Sequence, residues 1–121
     1  MISRRQLPEL RSFASVETRL PIAEAPELGK LVVPNGNSER PGHRWFRYKE
    51  AFSADLLTAL AERLSFPTDR TLTLLDPFCG VGTSLLSAQL LSSRGYRIQG
   101  VGIECNPLAA LIARTKVSWS T

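Results

Sequence analysis

The chain has 121 residues, which is enough for one small domain, and its hydrophobic fraction of 43% is ordinary for a globular protein. Fifteen basic and eleven acidic residues give a formal charge of +4 at pH 7, which suits an anionic partner but does not require one. Two cysteines, Cys79 and Cys105, provide neither a disulfide framework nor zinc-site spacing. We therefore expect a reduced, cytoplasmic protein with no signal peptide, membrane span or metal site.

Residues 1–41 are predicted to form an irregular N-terminal arm that lies over the body of the protein. Five prolines interrupt any long periodicity in this segment. The run LGKLVV (28–33) predicts a short strand within the arm. The loop PNGNSERPGH (34–43) follows it, with an Asn-Gly pair that tolerates positive φ.

Residues 42–121 are predicted to form an α/β domain that opens with a helix. Ser53 is a plausible N-cap for this helix, with Asp55 in its first turn, and Pro67 ends the helix near Ser65. Leucines at helical spacing predict the face that packs in the core: Leu56, Leu57, Leu60 and Leu64.

A strand, a helix and a second strand are predicted next, and together they form one β-α-β unit. Such a unit brings its two strands side by side in parallel. The second strand lacks strict alternation, which favours burial on both of its faces. Gly95 is predicted to adopt the left-handed conformation after the helix. The predicted elements are a strand at 71–76, a helix from Thr83 or Ser84 to about Ser93, a strand at 97–104, and a helix that begins at Asn106-Pro107 and runs to about Val117.

The stretch LLDPFCGVGTSLLSA (74–88) has the features of a ligand-binding loop at the end of a parallel strand. Gly80 and Gly82 permit tight turning and close approach of a ligand, and the following helix N-terminus attracts anions. Asp76 ends the first strand and Glu104 ends the second, where a carboxylate can bind the hydroxyls of a ribose.

The spacing of these residues excludes two common phosphate-binding motifs. A dinucleotide fingerprint needs a third glycine where this sequence has leucine, and no Gly-Lys-Thr/Ser of a phosphate-binding loop is present. An acid before the loop also disfavours a pyrophosphate. S-adenosylmethionine fits better, because it offers an ammonium to Asp76, a carboxylate to the loop and a ribose to Glu104.

The same stretch closely resembles the first motif of S-adenosylmethionine-dependent amino-methyltransferases, which modify exocyclic amines of DNA bases (N6 of adenine or N4 of cytosine). GVGIECNPLAALIARTK resembles the second motif of this family, and RYKEAFSADLL resembles the segment that encloses the methionine part of the cofactor. The resemblance covers residues 43–117. It implies a Rossmann-like methyltransferase fold, of which this chain would contain one β-α-β unit and therefore an incomplete sheet.

The resemblance also implies which residues surround S-adenosyl-L-methionine. Residues of the first motif would surround the methionine moiety, with two residues closing the site from the other side, and residues of the second motif would bind the ribose and border the adenine. In that order the residues are Asp76, Pro77, Phe78, Gly80, Gly82 and Thr83; Phe52 and Ser53; and Glu104, Cys105, Asn106 and Pro107. Val81 departs from the usual serine, and its side chain need not touch the ligand.

The catalytic motif of this family, D/N/S-P-P-Y/F/W, does not occur in the 121 residues, so no catalytic residue is assigned. We expect the N-terminal, cofactor-binding part of a DNA methyltransferase, inactive alone and completed by a C-terminal part or partner chain that makes most of the DNA contacts. Two alternatives stay open. One is a fragment of an RNA (tRNA guanine) methyltransferase, and the other is a non-catalytic partner or relic.

In the segment HRWFRYK (43–49), basic residues alternate with aromatic residues, as they do on nucleic-acid-binding surfaces. Packing of Trp45, Phe46 and Tyr48 on the sheet, with the cations in solvent, is the favoured interpretation. His43 is the only histidine and receives no role. Both cysteines are interpreted as small packing residues.

Overall fold

The structure is a computed structural model, and it describes residues 23–119; the part of the predicted arm before residue 23 lies outside the described residues. Within this range the chain forms an α/β arrangement of two strands, three α-helices and three short 3₁₀-helices. These are the 3₁₀-helices Pro26–Leu31, Asn37–Glu39 and His43–Trp45, helix α1 (Leu56–Arg63), strand β1 (Leu72–Asp76), helix α2 (Thr83–Ser92), strand β2 (Ile98–Gly102) and helix α3 (Pro107–Trp119).

Strands β1 and β2 pair in parallel, with α2 in the connection between them, as the sequence predicts. The register runs from Leu72 opposite Ile98 to Asp76 opposite Gly102. The pairing continues past the strands, because the amide of Ile103 donates to the carbonyl of Asp76 at 2.9 Å. Since parallel strands point the same way, the residues that follow β1 and β2 emerge at one edge of the sheet.

The core lies on one face of the sheet, between α1, α2 and the strands. Alanines at two of the contacts let the helices approach closely, and the larger apolar residues fill the remaining space. Burial of this apolar surface is the main favourable contribution to folding. The cluster consists of Leu57, Ala61, Ala88 and Leu91, with Phe66, Leu74, Tyr96 and Ile98 packed against it.

The prediction that β2 is buried on both faces is wrong for the described residues. Gly100 lies against α2, where an added Cβ would come within 3.0 Å of Leu85. On the opposite face Leu75 and its register partner Val101 are 59% and 42% exposed. No element among residues 23–119 covers that face. The apolar residues on it therefore remain exposed in this part of the chain.

The predicted strand at 28–33 is also wrong, because Pro26–Leu31 forms a 3₁₀-helix with proline in its first turn. Among residues 23–119 no strand pairs with it. The carbonyl of Leu31 instead accepts from the amide of Ser53 at 2.9 Å, and the hydroxyl of Ser53 donates to the carbonyl of Asn35 at 2.9 Å. These bonds attach the described part of the arm to the segment that precedes α1.

The predicted start and end of α1 need correction. Asp55, not Ser53, is the residue directly before the helix, although the hydroxyl of Ser53 accepts from the amide of Asp55 at 3.3 Å. Helix α1 ends at Arg63, and this leaves Leu64 beyond it and 63% exposed rather than in the core. Leu57 is buried as predicted.

Two helix-terminus predictions are confirmed. Helix α3 begins at Pro107, and the side-chain oxygen of Asn106 accepts from the amide of Leu108 at 2.9 Å, as an N-cap does. Gly95 follows α2 with φ +93°.

We predict that Gly82→Ala destabilises the fold by about 2–4 kcal/mol, because the left-handed backbone disfavours a Cβ and the added atom overpacks the site. Gly82 has φ +79°, and an added Cβ would lie 2.9 Å from that of Ala113. Denaturant unfolding measures the effect. Gly29→Ala is the control, since nothing lies within 4 Å of its added Cβ. Equal stability of Gly82→Ala and the parent would contradict the prediction.

Candidate functional site

The loop between β1 and α2 turns sharply through two glycines. Gly80 and Gly82 have φ +52° and +79°, values that residues with a Cβ rarely adopt. The amide of Gly82 donates to the carbonyl of Cys79 at 2.8 Å, which closes the turn. The loop therefore places the N-terminus of α2, where the first amides lack intrahelical acceptors, beside the end of β1.

Asp76 is held in place by hydrogen bonds across this loop. One carboxylate oxygen accepts from the amide of Phe78 at 3.0 Å, and the other accepts from the hydroxyl of Ser84 in α2. Each carboxylate oxygen has a further lone pair, so Asp76 can still accept from a ligand. The loop thus fixes the direction of the carboxylate without exhausting its capacity.

Glu104 is fixed at the end of the second strand in a similar way. Its Oε1 accepts from the amide of Asn106 at 2.7 Å. This backbone hydrogen bond lowers the pKa of Glu104 from its usual value, so the side chain is a carboxylate at neutral pH.

A cavity of about 220 Å³, here called the acidic cleft, lies between this loop and the segment 48–52. Both strand-end acids, Asp76 and Glu104, line it. The structure therefore brings together half of the sequence-predicted site residues at one place: Phe52, Asp76, Phe78, Gly80, Thr83 and Glu104.

The other predicted site residues do not line the acidic cleft. Ser53 is buried and bonds the arm, and Gly82 is buried against α3. Three consecutive residues after Glu104 are exposed beside the cleft, where they lead into α3, and Pro77 is exposed in the loop. These last four residues are Pro77, Cys105, Asn106 and Pro107.

Sequence reasoning missed five residues that line the cleft: Tyr48, Glu50, Ala51, Cys79 and Val81. Val81 was left out of the site, yet its side chain is 3% exposed and faces the cleft. All five are neighbours of predicted residues in the two motif segments, which is the signal that could have found them. Burial raises the pKa of the Cys79 thiol, which agrees with its interpretation as a packing residue.

The aromatic residues of segment 43–49 pack, but not on the sheet as predicted. Trp45 contacts Trp119 of α3 edge-to-face with ring centroids 4.6 Å apart, and Phe46 lies 6.4 Å from Tyr48. Trp45 and Phe46 stay 42% and 40% exposed. The segment therefore packs against α3, and Tyr48 is its one residue that lines the acidic cleft.

A second cavity, here called the basic cavity, lies between the arm and α3 and has a volume of about 310 Å³. His43 and Lys116 line it and are only 3% and 2% exposed. Neither nitrogen of the His43 ring has a hydrogen-bond partner. Desolvation by burial lowers the pKa of His43 to about 4, and the nearby positive charges of Lys116 and Arg40 add to this effect. The negative charge of Asp55 opposes it. The sequence offered no signal that its only histidine would be buried.

Within residues 23–119 no helix is long and apolar enough to cross a membrane. The same part of the chain contains no group of three or more His, Cys, Asp or Glu residues that could hold a metal ion.

Comparison with known proteins gives one group of relatives. The chain is 37% identical over 87 residues to the type II methyltransferase M.BsoBI of Geobacillus stearothermophilus. It is 40% identical over 90 residues to the type II methyltransferase M.AvaI of Nostoc sp. strain PCC 7120 and of Anabaena variabilis. The chain is homologous to part of the type II methyltransferases.

The matched region covers 72% of this chain in each comparison. It covers 16% of the length of M.BsoBI and 17% of that of M.AvaI, so the chain corresponds to a small part of each relative. No protein-family model and no solved structure matches the chain.

We predict that His43 titrates near pH 4 in the folded chain, where burial and neighbouring cations disfavour the imidazolium. Because the unfolded chain takes up this proton near pH 6.5 and the folded chain does not, stability falls as the pH drops from 6.5 to 4. The loss from this one residue is at most about 3 kcal/mol. Histidine NMR signals and urea unfolding at each pH measure the two effects.

His43→Gln serves as the control, because it removes the titrating group and should flatten this part of the stability profile. A histidine midpoint near 6.5 in the folded wild-type chain would contradict the assigned burial.

Proposed function

We propose that this chain is the cofactor-binding part of an S-adenosylmethionine-dependent DNA methyltransferase that acts on an exocyclic amine of a DNA base. The convergence of Asp76 and Glu104 on one cleft at the strand ends carries the proposal. In open α/β sheets, ligands bind beyond the carboxyl ends of the strands. Homology to type II methyltransferases supports the same reaction class.

The donors and acceptors around the acidic cleft fit the polar ends of S-adenosylmethionine. Asp76 would accept from the ammonium of the methionine moiety, and the N-terminus of α2 would attract its carboxylate. Glu104 would accept from the ribose hydroxyls. Phe78, which is 88% exposed at the cleft, offers apolar surface to the ligand. When bound, the cofactor supplies a methyl group activated by its sulfonium.

We further propose that the site is one part of a larger Rossmann-like sheet. The exposed apolar face around Leu75 and Val101 supports this, since additional elements would bury it. The chain contains no D/N/S-P-P-Y/F/W sequence, so a complementing polypeptide would bring the catalytic motif and most of the DNA contacts. The relatives, of which this chain matches 16–17%, are long enough to hold such segments.

The RNA-methyltransferase alternative is less favoured, because the relatives are type II methyltransferases. The non-catalytic alternative makes a different prediction for ligand binding, which the following experiment tests.

We predict that the purified chain binds S-adenosylhomocysteine and that Asp76→Ala weakens binding at least tenfold, about the 1.4 kcal/mol that one charge-assisted hydrogen bond contributes. Isothermal titration calorimetry measures both affinities. Asp69→Ala is the matched control, because this exposed acid lies outside the cleft. A cooperatively folded chain that does not bind, or equal affinity of Asp76→Ala and the parent, would overturn the cofactor assignment.

We also predict that the 121-residue chain alone methylates no DNA, because the acceptors for the target amine are not among its motifs. Transfer of tritiated methyl groups to duplex DNA measures this. Turnover by the pure chain would show that the catalytic groups lie within it after all.

A further inference from the structure

The basic cavity contains two buried polar side chains that the proposed cofactor site does not use. His43 lines the cavity with both ring nitrogens unpartnered, although each must donate or accept a hydrogen bond to offset its burial. Lys116 lines the same cavity, and no carboxylate lies within ion-pair distance of it among residues 23–119. A buried cation without a counter-charge is costly, and here burial lowers the pKa of Lys116.

All the charged residues that line the basic cavity are basic. Three basic residues line it, Arg47, Lys49 and Lys116, and no aspartate or glutamate does. Two hydroxyl-bearing residues add donors: Ser38, which is exposed, and Thr83, which is buried and also lines the acidic cleft. The lining is therefore suited to an anion that accepts several hydrogen bonds.

The basic cavity adjoins the acidic cleft but differs from it in chemistry. The two share Tyr48, Ala51, Val81 and Thr83 as a common wall. Of these two cavities, only the acidic cleft is lined by Asp76 and Glu104, and only the basic cavity is lined by His43 and Lys116. The strand-end acids therefore favour a cationic group in the acidic cleft, whereas the lining of the basic cavity favours an anion.

We propose that the basic cavity is a binding site for a phosphate-class oxyanion. Lys116 supplies the counter-charge at the buried end, and the neutral ring of His43 donates one N–H to an anion oxygen. Arg47 and Lys49 screen the anion at the open side. The same chemistry is offered by free phosphate and by a backbone phosphate of nucleic acid. This site is independent of the cofactor proposal, since it uses neither strand-end acid.

Because His43 is the only histidine, its ring signals report directly on the cavity. The 121-residue chain at pH 7 is titrated with inorganic phosphate while sodium chloride holds the ionic strength constant, and histidine ¹H–¹³C NMR spectra are recorded. We expect a saturable shift of the His43 signals in the wild type. Lys116→Met should reduce the affinity for phosphate at least tenfold. Arg114→Met, which removes an exposed cation of α3 outside the basic cavity, should leave it unchanged.

Circular dichroism checks that the Lys116→Met variant folds, and Lys116→Gln, which keeps a polar side chain, replaces it if it does not. Duplex DNA is then titrated in phosphate-free buffer. A His43 shift with DNA that phosphate competes away identifies a backbone phosphate as the ligand, whereas a shift with phosphate alone identifies a free oxyanion.

The following results would overturn the proposal. They are the absence of a His43 shift with both phosphate and DNA, an equal shift in a folded Lys116 variant, and a shift that sodium chloride alone reproduces. A His43 shift with S-adenosylhomocysteine but not with phosphate would also overturn it, and would assign the basic cavity to the cofactor site. If the folded chain does not bind S-adenosylhomocysteine but phosphate still shifts the His43 signals, the cofactor proposal is wrong and the oxyanion proposal stands.

Discussion

The parallel pairing of β1 with β2 is the constraint on which the rest of the site depends. The register that sets Asp76 opposite Gly102 determines that Glu104 emerges two residues beyond the neighbouring strand end. The hydrogen bond from Ile103 to the carbonyl of Asp76 extends that pairing up to the acid itself. A slip of the register by one residue would turn the side chains of β2 to the opposite face and move the second acid away from the first. The positions of the two acids are therefore set by the strands, and the glycine loop and α2 only adjust the direction of the Asp76 side chain.

The glycine loop provides that refinement. Its two left-handed glycines let the chain reverse within a few residues, and α2 starts directly beside the strand it follows. Ser84 is thereby close enough to bond Asp76, so the first turn of the helix holds the carboxylate. This local geometry follows from a short stretch of sequence, because the glycines permit the left-handed turn and the acid accepts the hydrogen bonds that hold it.

Local signals in the sequence predicted the β-α-β unit, the start of α3 and the left-handed Gly95, since each depends on residues close together in the chain. Five of the six proposed site residues that line the acidic cleft do so for the same reason, since they follow strand ends or belong to the loop and the start of α2; Phe52 comes from the segment before α1. The 28–33 segment was mispredicted because no strand among residues 23–119 pairs with it, and Leu64 was mispredicted because the helix ends at Arg63, before the predicted end near Ser65. His43 and Lys116 are buried where the arm, segment 43–49 and α3 line one cavity, and no local pattern signals this arrangement of distant segments.

The edge-to-face contact of Trp45 with Trp119 has a spectroscopic consequence. These are the only two tryptophans in the chain, and they come from segments far apart in sequence. The intrinsic tryptophan fluorescence of the protein therefore reports on the contact between segment 43–49 and α3. Because both rings are substantially exposed, their emission is sensitive to water on either side of that contact.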